Sequence, residues 1–160
     1  MTDYSEIWER AYALLDKLTP IKADCGELCK KRCCKGNDED GMILFPYEKE
    51  FLIGQRSLTF SQKDGFDTAV CKGRCKREWR PLACRIYPFV PVFKNETIVA
   101  QPDPRATYIC PLILHGVEYI DPEFIHSVKE AFVILEELPG FSDFMMQYDE
   151  MLDEYRKFTI

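Results

Sequence analysis

Apolar residues recur at helical spacing near the start of the chain. The apolar positions of this stretch are Ile7, Ala11, Leu14, Leu15 and Leu18. Asp3 and Glu6 form a capping-box pair ahead of them, and Thr19 with Pro20 ends the pattern. The pattern predicts an amphipathic first helix whose apolar side packs into the core.

The same spacing predicts two helices near the end of the chain. Asp121 and Pro122 are typical of a helix N-cap followed by a first-turn proline, and Pro139 with Gly140 ends that helix. Its apolar positions are Phe124, Ile125, Val128, Phe132 and Leu135. A last helix begins at Ser142 and carries Phe144, Tyr148, Met151, Leu152 and Tyr155 on one face. Both faces indicate packing rather than cofactor binding.

Between these helices the apolar residues form short runs. The runs predict strands at residues 42–45 (MILF), 51–53 (FLI), 58–60 (LTF), 68–70 (TAV), 87–93 (YPFVPVF) and 97–100 (TIVA). Six of the ten prolines lie between Pro81 and Pro111, which excludes a long helix there. We therefore expect an α+β fold. It is a single domain over residues 1–160, with an N-terminal helix, a loop-rich centre of short strands and two C-terminal helices.

Composition does not require a metal for stability. A chain of 160 residues with 46% apolar content buries roughly 70% of its unfolded surface. The sequence contains no run of about 18 apolar residues, which is the length that spans a membrane. The first ten residues, MTDYSEIWER, carry charges where a secretory signal needs an apolar run. We therefore expect a cytoplasmic location and no membrane partner.

All eight cysteines lie in the central part of the chain. They are Cys25, Cys29, Cys33 and Cys34 in DCGELCKKRCCKGND, Cys71 and Cys75 in CKGRC, Cys84 in RPLACRIYPF, and Cys110 in YICPL. In a reducing compartment such density is typical of metal ligands or redox chemistry, whereas disulfides and inert buried thiols are the alternatives. Thiolates suit zinc or an iron–sulfur cluster, so we expect a metal to staple the centre of the fold.

The first four cysteines have an unusual spacing. On a helix, Cys25, Cys29 and Cys33 would lie within an arc of about 80°. The adjacent Cys34 would point elsewhere, because neighbouring side chains diverge in helices and strands alike. This spacing indicates either two neighbouring metal sites or one polynuclear centre, and it does not choose between them.

Charge is distributed unevenly along the chain. Residues 1–21 carry a net charge of −2, residues 22–102 carry +4 and residues 103–160 carry −8. A nucleic-acid surface is one explanation of the basic region. We favour an internal one, because four thiolates around a divalent ion still carry a net negative charge, and the acidic chain as a whole repels phosphate. The basic residues that offset this charge are Lys30, Lys31, Arg32, Lys72, Arg74, Lys76, Arg77 and Arg85.

Three polar residues, Arg80, Arg85 and Glu48, are candidates for a supporting role near the cysteines. Arg80 and Arg85 flank Cys84, so their guanidinium groups either donate to ligand sulfur or form surface salt bridges. Glu48 follows the apolar run of LFPYE. A site marker is one interpretation of Glu48, but a solvated carboxylate in a turn is the preferred prediction.

The cysteine segments together resemble a known family. The CC doublet after two spaced cysteines, the C-x3-C pair, RPLACRIYPF and a final cysteine before proline are similar to the CxxCxxCC family of zinc- or iron-chelating domains. The first cluster departs from that name pattern, being C-x3-C-x3-CC here. The resemblance covers residues 25–110 and implies metal binding by eight cysteines: Cys25, Cys29, Cys33, Cys34, Cys71, Cys75, Cys84 and Cys110.

Three alternatives for the function stay open. The first is a zinc or iron–sulfur binding protein, with a protein partner left open. The second is an iron–sulfur protein-lysine N-methyltransferase, since the resemblance extends to flagellin lysine N-methylases, but no Gly-rich loop follows a strand to cradle its cofactor. The third is a copper(I) carrier, because thiols spaced by four residues on a helix suit a soft ion.

Overall fold

The structure is a computed structural model that describes residues 2–23, 27, 30, 41–71 and 77–158. Its first helix, α1, spans Ser5–Ala13, and the Asp3 carboxylate accepts a hydrogen bond from the Ser5 backbone N–H at 2.9 Å. The buried residues of α1 are Trp8, Ala11 and Tyr12. The helix and its core-facing side were therefore predicted correctly, since Ala11 and Leu15 are buried and Ile7, Leu14 and Leu18 pack against the core. The helix ends at Ala13, however, and not near Leu18. The prediction omitted two large aromatic side chains, Trp8 and Tyr12, which are buried as well.

A three-stranded antiparallel sheet follows the first cysteine segment. It consists of β1 (Met42–Ile43), β2 (Leu58–Lys63) and β3 (Phe66–Cys71), in the order β1-β3-β2. Asp64 and Gly65 connect β2 to β3 with φ values of 54° and 84°, which suits the left-handed turn of a tight hairpin. The predicted strand at 51–53 is wrong. Its first two residues end the short helix α2 (Glu48–Leu52), in which Leu52 is buried.

A two-stranded hairpin forms the second sheet. After a 3₁₀ turn at Arg77–Trp79 and the short helix α3 (Leu82–Ile86), strands β4 (Phe89–Lys94) and β5 (Thr97–Pro102) pair antiparallel. A 3₁₀ turn (Pro104–Ala106), the short helix α4 (Pro111–His115) and another 3₁₀ turn (Val117–Tyr119) lead to the C-terminal part. The prediction of extended, proline-rich chain here is confirmed for the hairpin, while α3 and α4 were not predicted.

The last two elements are helices α5 (Pro122–Leu135) and α6 (Phe141–Arg156). The Asp121 carboxylate accepts a hydrogen bond from the Glu123 backbone N–H at 3.0 Å, as the cap pattern predicts. The predicted face of α5 is buried except for the partly buried Ile125. In α6 the buried face is shifted, because it includes Phe141 and Met145 but excludes the exposed Tyr155.

One core cluster joins both ends of the chain. It extends from Trp8 in α1 through Leu44, Leu82 and Ile98 to Phe132 in α5, and α1 packs directly on α5. A smaller cluster joins the strands to α6 and contains Phe66, Val90, Val92, Tyr148 and Leu152. The architecture is α+β, as expected from the sequence. In the described part of the chain, no helix combines the length and apolar character that crossing a membrane requires.

Candidate metal centre

Three of the eight cysteines lie within the described residues. Cys71 ends β3 opposite Leu58 and Cys84 lies in α3, each partly buried, whereas Cys110 is buried immediately before α4. The other five, Cys25, Cys29, Cys33, Cys34 and Cys75, lie outside them. Among residues 2–23, 27, 30, 41–71 and 77–158, no three His, Cys, Asp or Glu side chains are grouped to hold a metal ion.

The first cysteine segment contributes two described residues. Glu27 is helical and exposed, and Lys30 is exposed with a φ of 54°. A left-handed residue does not continue an α-helix. Cys25, Cys29 and Cys33, which would share one face if they lay on a helix, themselves lie outside the described residues.

Glu48 is the most strongly buried charged residue near the described cysteines, with no exposed surface. Its Oε1 accepts hydrogen bonds of 2.6 Å from the Tyr12 hydroxyl and 2.6 Å from the Leu82 backbone N–H. Its Oε2 accepts one of 3.0 Å from the Phe45 backbone N–H. The prediction of a solvated carboxylate is wrong, because three protein donors take the place of water around it.

Burial governs the electrostatics of this carboxylate. Desolvation raises the pKa of Glu48 above its ordinary value, while its three hydrogen bonds and the nearby Arg85 act in the opposite direction. Burial, followed by the charge of Glu48, raises the pKa of Tyr12 well above its ordinary value. Tyr12 therefore keeps its proton at neutral pH and donates a hydrogen bond to Glu48.

Arg85 forms the second part of this arrangement. Its guanidinium donates to the backbone carbonyls of Arg80 at 2.7 Å, Arg77 at 3.1 Å and Glu78 at 2.7 Å, and to the Asp16 carboxylate. Its carbon Cζ lies 4.0 Å from the centre of the Tyr12 ring, a cation–π distance. Of the two alternatives left open for Arg85, a salt bridge is present, to Asp16, but the Arg85 side chain within it is buried, being only 3% exposed.

These contacts connect the flanks of three cysteine segments. Arg77, just after Cys75 in sequence, donates to the carbonyl oxygens of Asp16, at 2.6 Å, and of Leu18. Asp16 and Leu18 lead toward Cys25, and Asp16 also binds Arg85, the neighbour of Cys84. Two arginines thus hold together stretches of the chain that are distant in sequence.

A second buried cluster lies before Cys110. Asp103 Oδ2 accepts from the Arg105 guanidinium at 2.8 Å, and Arg105 also donates to the Tyr148 hydroxyl at 3.0 Å. This ties the 3₁₀ turn to α6. The Cys110 backbone N–H donates to the Ala106 carbonyl at 2.9 Å, so the backbone at Cys110 is fixed to the same turn.

Sequence reasoning missed Tyr12, Asp16 and the burial of Glu48. One local signal for Glu48 exists, since Glu48 and Leu52 are four residues apart and share a face of α2. Its partners Tyr12 and Leu82, however, are far away in sequence.

Comparison of the chain with known proteins finds no matching protein-family model, no matching curated protein and no matching solved structure.

Proposed function

We propose that this protein binds zinc or an iron–sulfur centre through its eight cysteines, in the reducing environment of the cytoplasm. The cysteine spacing, the lack of histidine or carboxylate clusters in the sequence motifs and the resemblance to the CxxCxxCC family support the thiolate chemistry. Methyl transfer and copper(I) transport stay untested predictions.

The observation that carries the proposal is the pair of arginines that joins the flanks of the cysteine segments. Arg77 and Arg85 both bind Asp16, which precedes the first segment, and they follow Cys75 and Cys84 respectively. A metal bound by cysteines from separate segments needs those segments to meet. The contacts of these two arginines join the flanks of those segments within the described residues, which supports the proposal.

The charge of Arg85 supports thiolate binding at Cys84. Three of its four hydrogen-bond acceptors are neutral carbonyl oxygens, and the fourth, Asp16, has a side chain that is 52% exposed to water. This buried positive charge, which the carboxylates of Asp16 and Glu48 face, belongs to the same short helix as Cys84. A nearby cation favours the thiolate over the thiol, and the thiolate is the form that binds metal.

Elemental analysis after gentle anaerobic purification tests this function. We expect at least one equivalent of zinc or iron per chain, and less than about half an equivalent of zinc, iron and copper combined would contradict the proposal. Broad absorption near 400 nm that reductant bleaches would select iron–sulfur over zinc. Cys84→Ser is expected to lower the metal content, while Ala83→Ser, a change at the neighbouring partly buried position, keeps it.

A further inference from the structure

The interactions of Glu48 converge on the helix that carries Cys84. Its Oε1 binds the backbone N–H of Leu82, the first residue of α3, two positions before the cysteine. The same oxygen binds the hydroxyl of Tyr12, whose ring faces Arg85 on the other side of Cys84. Glu48 thus contacts the start of α3 directly and its second half through Tyr12.

We propose that Glu48 is the positioning residue of Cys84, holding α3 so that this thiol faces its metal. The proposal rests on the proposed function, because it assigns Cys84 the role of a metal ligand. Glu48 itself does not touch the metal. Its role is to fix the position and rotation of a five-residue helix that is too short to hold its own geometry.

Apolar packing alone does not fix the position and rotation of α3. Leu82 and Ile86 are both buried and lie four residues apart, so they anchor one face of α3 in the core. Apolar contacts resist separation from the core but have little directional preference. The hydrogen bond from Leu82 to the buried carboxylate supplies direction at one end, and the four hydrogen bonds of Arg85 supply it at the other.

Glu48→Gln tests this role with minimal change in volume. Its amide has one oxygen in place of two, whereas the site presents donors from Phe45 and Leu82 to opposite carboxylate oxygens. In either orientation, one backbone N–H therefore faces an amide N–H. Leu135→Ala, at a fully buried position in α5, is the control, because it lowers global stability without removing a hydrogen bond of Glu48.

Two readouts are taken on the same anaerobic preparations of the full chain: metal content, and the alkylation rate of each cysteine from peptide mass spectrometry. We expect the rate at Cys84 relative to Cys110 to rise at least tenfold in Glu48→Gln and the metal content to fall. In Leu135→Ala both quantities should match the wild type. Equal ratios in the two variants would overturn the positioning role, because Glu48 would then act only on stability.

The readouts separate this proposal from the proposed function. If the wild-type protein is isolated without metal, metal binding is refuted. The ratio of the alkylation rates at Cys84 and Cys110 would still decide whether Glu48 positions the Cys84 thiol. If Glu48→Gln does not fold, Tyr12→Phe replaces it, since this change removes one hydrogen bond to Glu48 and keeps a ring for Arg85. A threefold or larger rise of the ratio in Tyr12→Phe supports the proposal, and an unchanged ratio overturns it.

Discussion

Several buried polar residues in this protein are held by hydrogen bonds from residues distant in sequence. Tyr148 is an example: it is 1% exposed and accepts a hydrogen bond from Arg105 while packing between Phe45 and Phe66. Burial raises the pKa of Tyr148 to about 12, with Asp103 adding to the rise and Arg105 opposing it. The folded protein therefore holds this proton more tightly than the unfolded chain does.

This shift predicts a loss of stability at alkaline pH. The contribution of Tyr148 is complete below its unfolded pKa of about 10 and is lost as the pH rises toward 12. A shift of this size corresponds to about 2 kcal/mol of unfolding free energy lost between pH 9 and pH 11.5. Tyr148→Phe lacks this ionisation, so urea unfolding of both proteins at the two pH values should show the wild type losing about 2 kcal/mol more. Equal losses would contradict the assignment.

The behaviour of Glu48 could not be derived from its neighbours in sequence. In LFPYE it follows a proline and an aromatic residue, which is typical of a turn at the surface. Its burial is possible only because Tyr12 and Leu82, each more than thirty residues away, supply donors. Long-range polar contacts of this kind leave no periodic pattern, whereas the apolar periodicity that located α5 is a local property.

At the level of elements, helix ends were the most predictable features where the cap is local. Asp121, Pro122 and Gly140 mark the beginning of α5 and the turn into α6 as the sequence indicates. The end of α1 was not predictable, since Leu14, Leu15 and Leu18 continue the apolar spacing although residues 14–17 form a turn. The burial of Trp8 and Tyr12 was likewise not predicted, because neither residue was among the apolar positions that defined the helix in the sequence.

The Asp121 cap gives a prediction for α5. Asp121→Ala removes the acceptor for the Glu123 backbone N–H and should lower the free energy of unfolding by about 1 kcal/mol. Asp121→Asn keeps an acceptor oxygen and should lose only the interaction of the charge with the helix dipole, a few tenths of a kcal/mol. Urea denaturation followed by circular dichroism measures both. Equal losses in the two variants would show that the hydrogen bond is not what stabilises the helix start.

In the molecule as a whole, the acidic C-terminal residues 103–160 and the basic cysteine region, residues 22–102, share one hydrophobic core. The described part of the basic region packs against α5 and α6 through both hairpins. Polar contacts to α3 depend on Glu48 and on Asp16 from the region of α1. The cysteine region is thus connected to the helices on two sides, but its own elements are short. Its stability should therefore depend on metal more than that of α5 does.

Metal removal is expected to loosen the molecule unevenly. Metal binding of about 10 to 16 kcal/mol is comparable with the whole net stability of a domain, about 5 to 15 kcal/mol. Hydrogen exchange after chelation should show lost protection across residues 22–110, α3 included, because the cysteines that we propose as metal ligands all lie in this region. Protection should persist in α5, whose apolar face is buried against α1. Metal-loaded protein is the control, and equal retention in α3 and α5 after chelation would show that metal does not hold the centre of this fold.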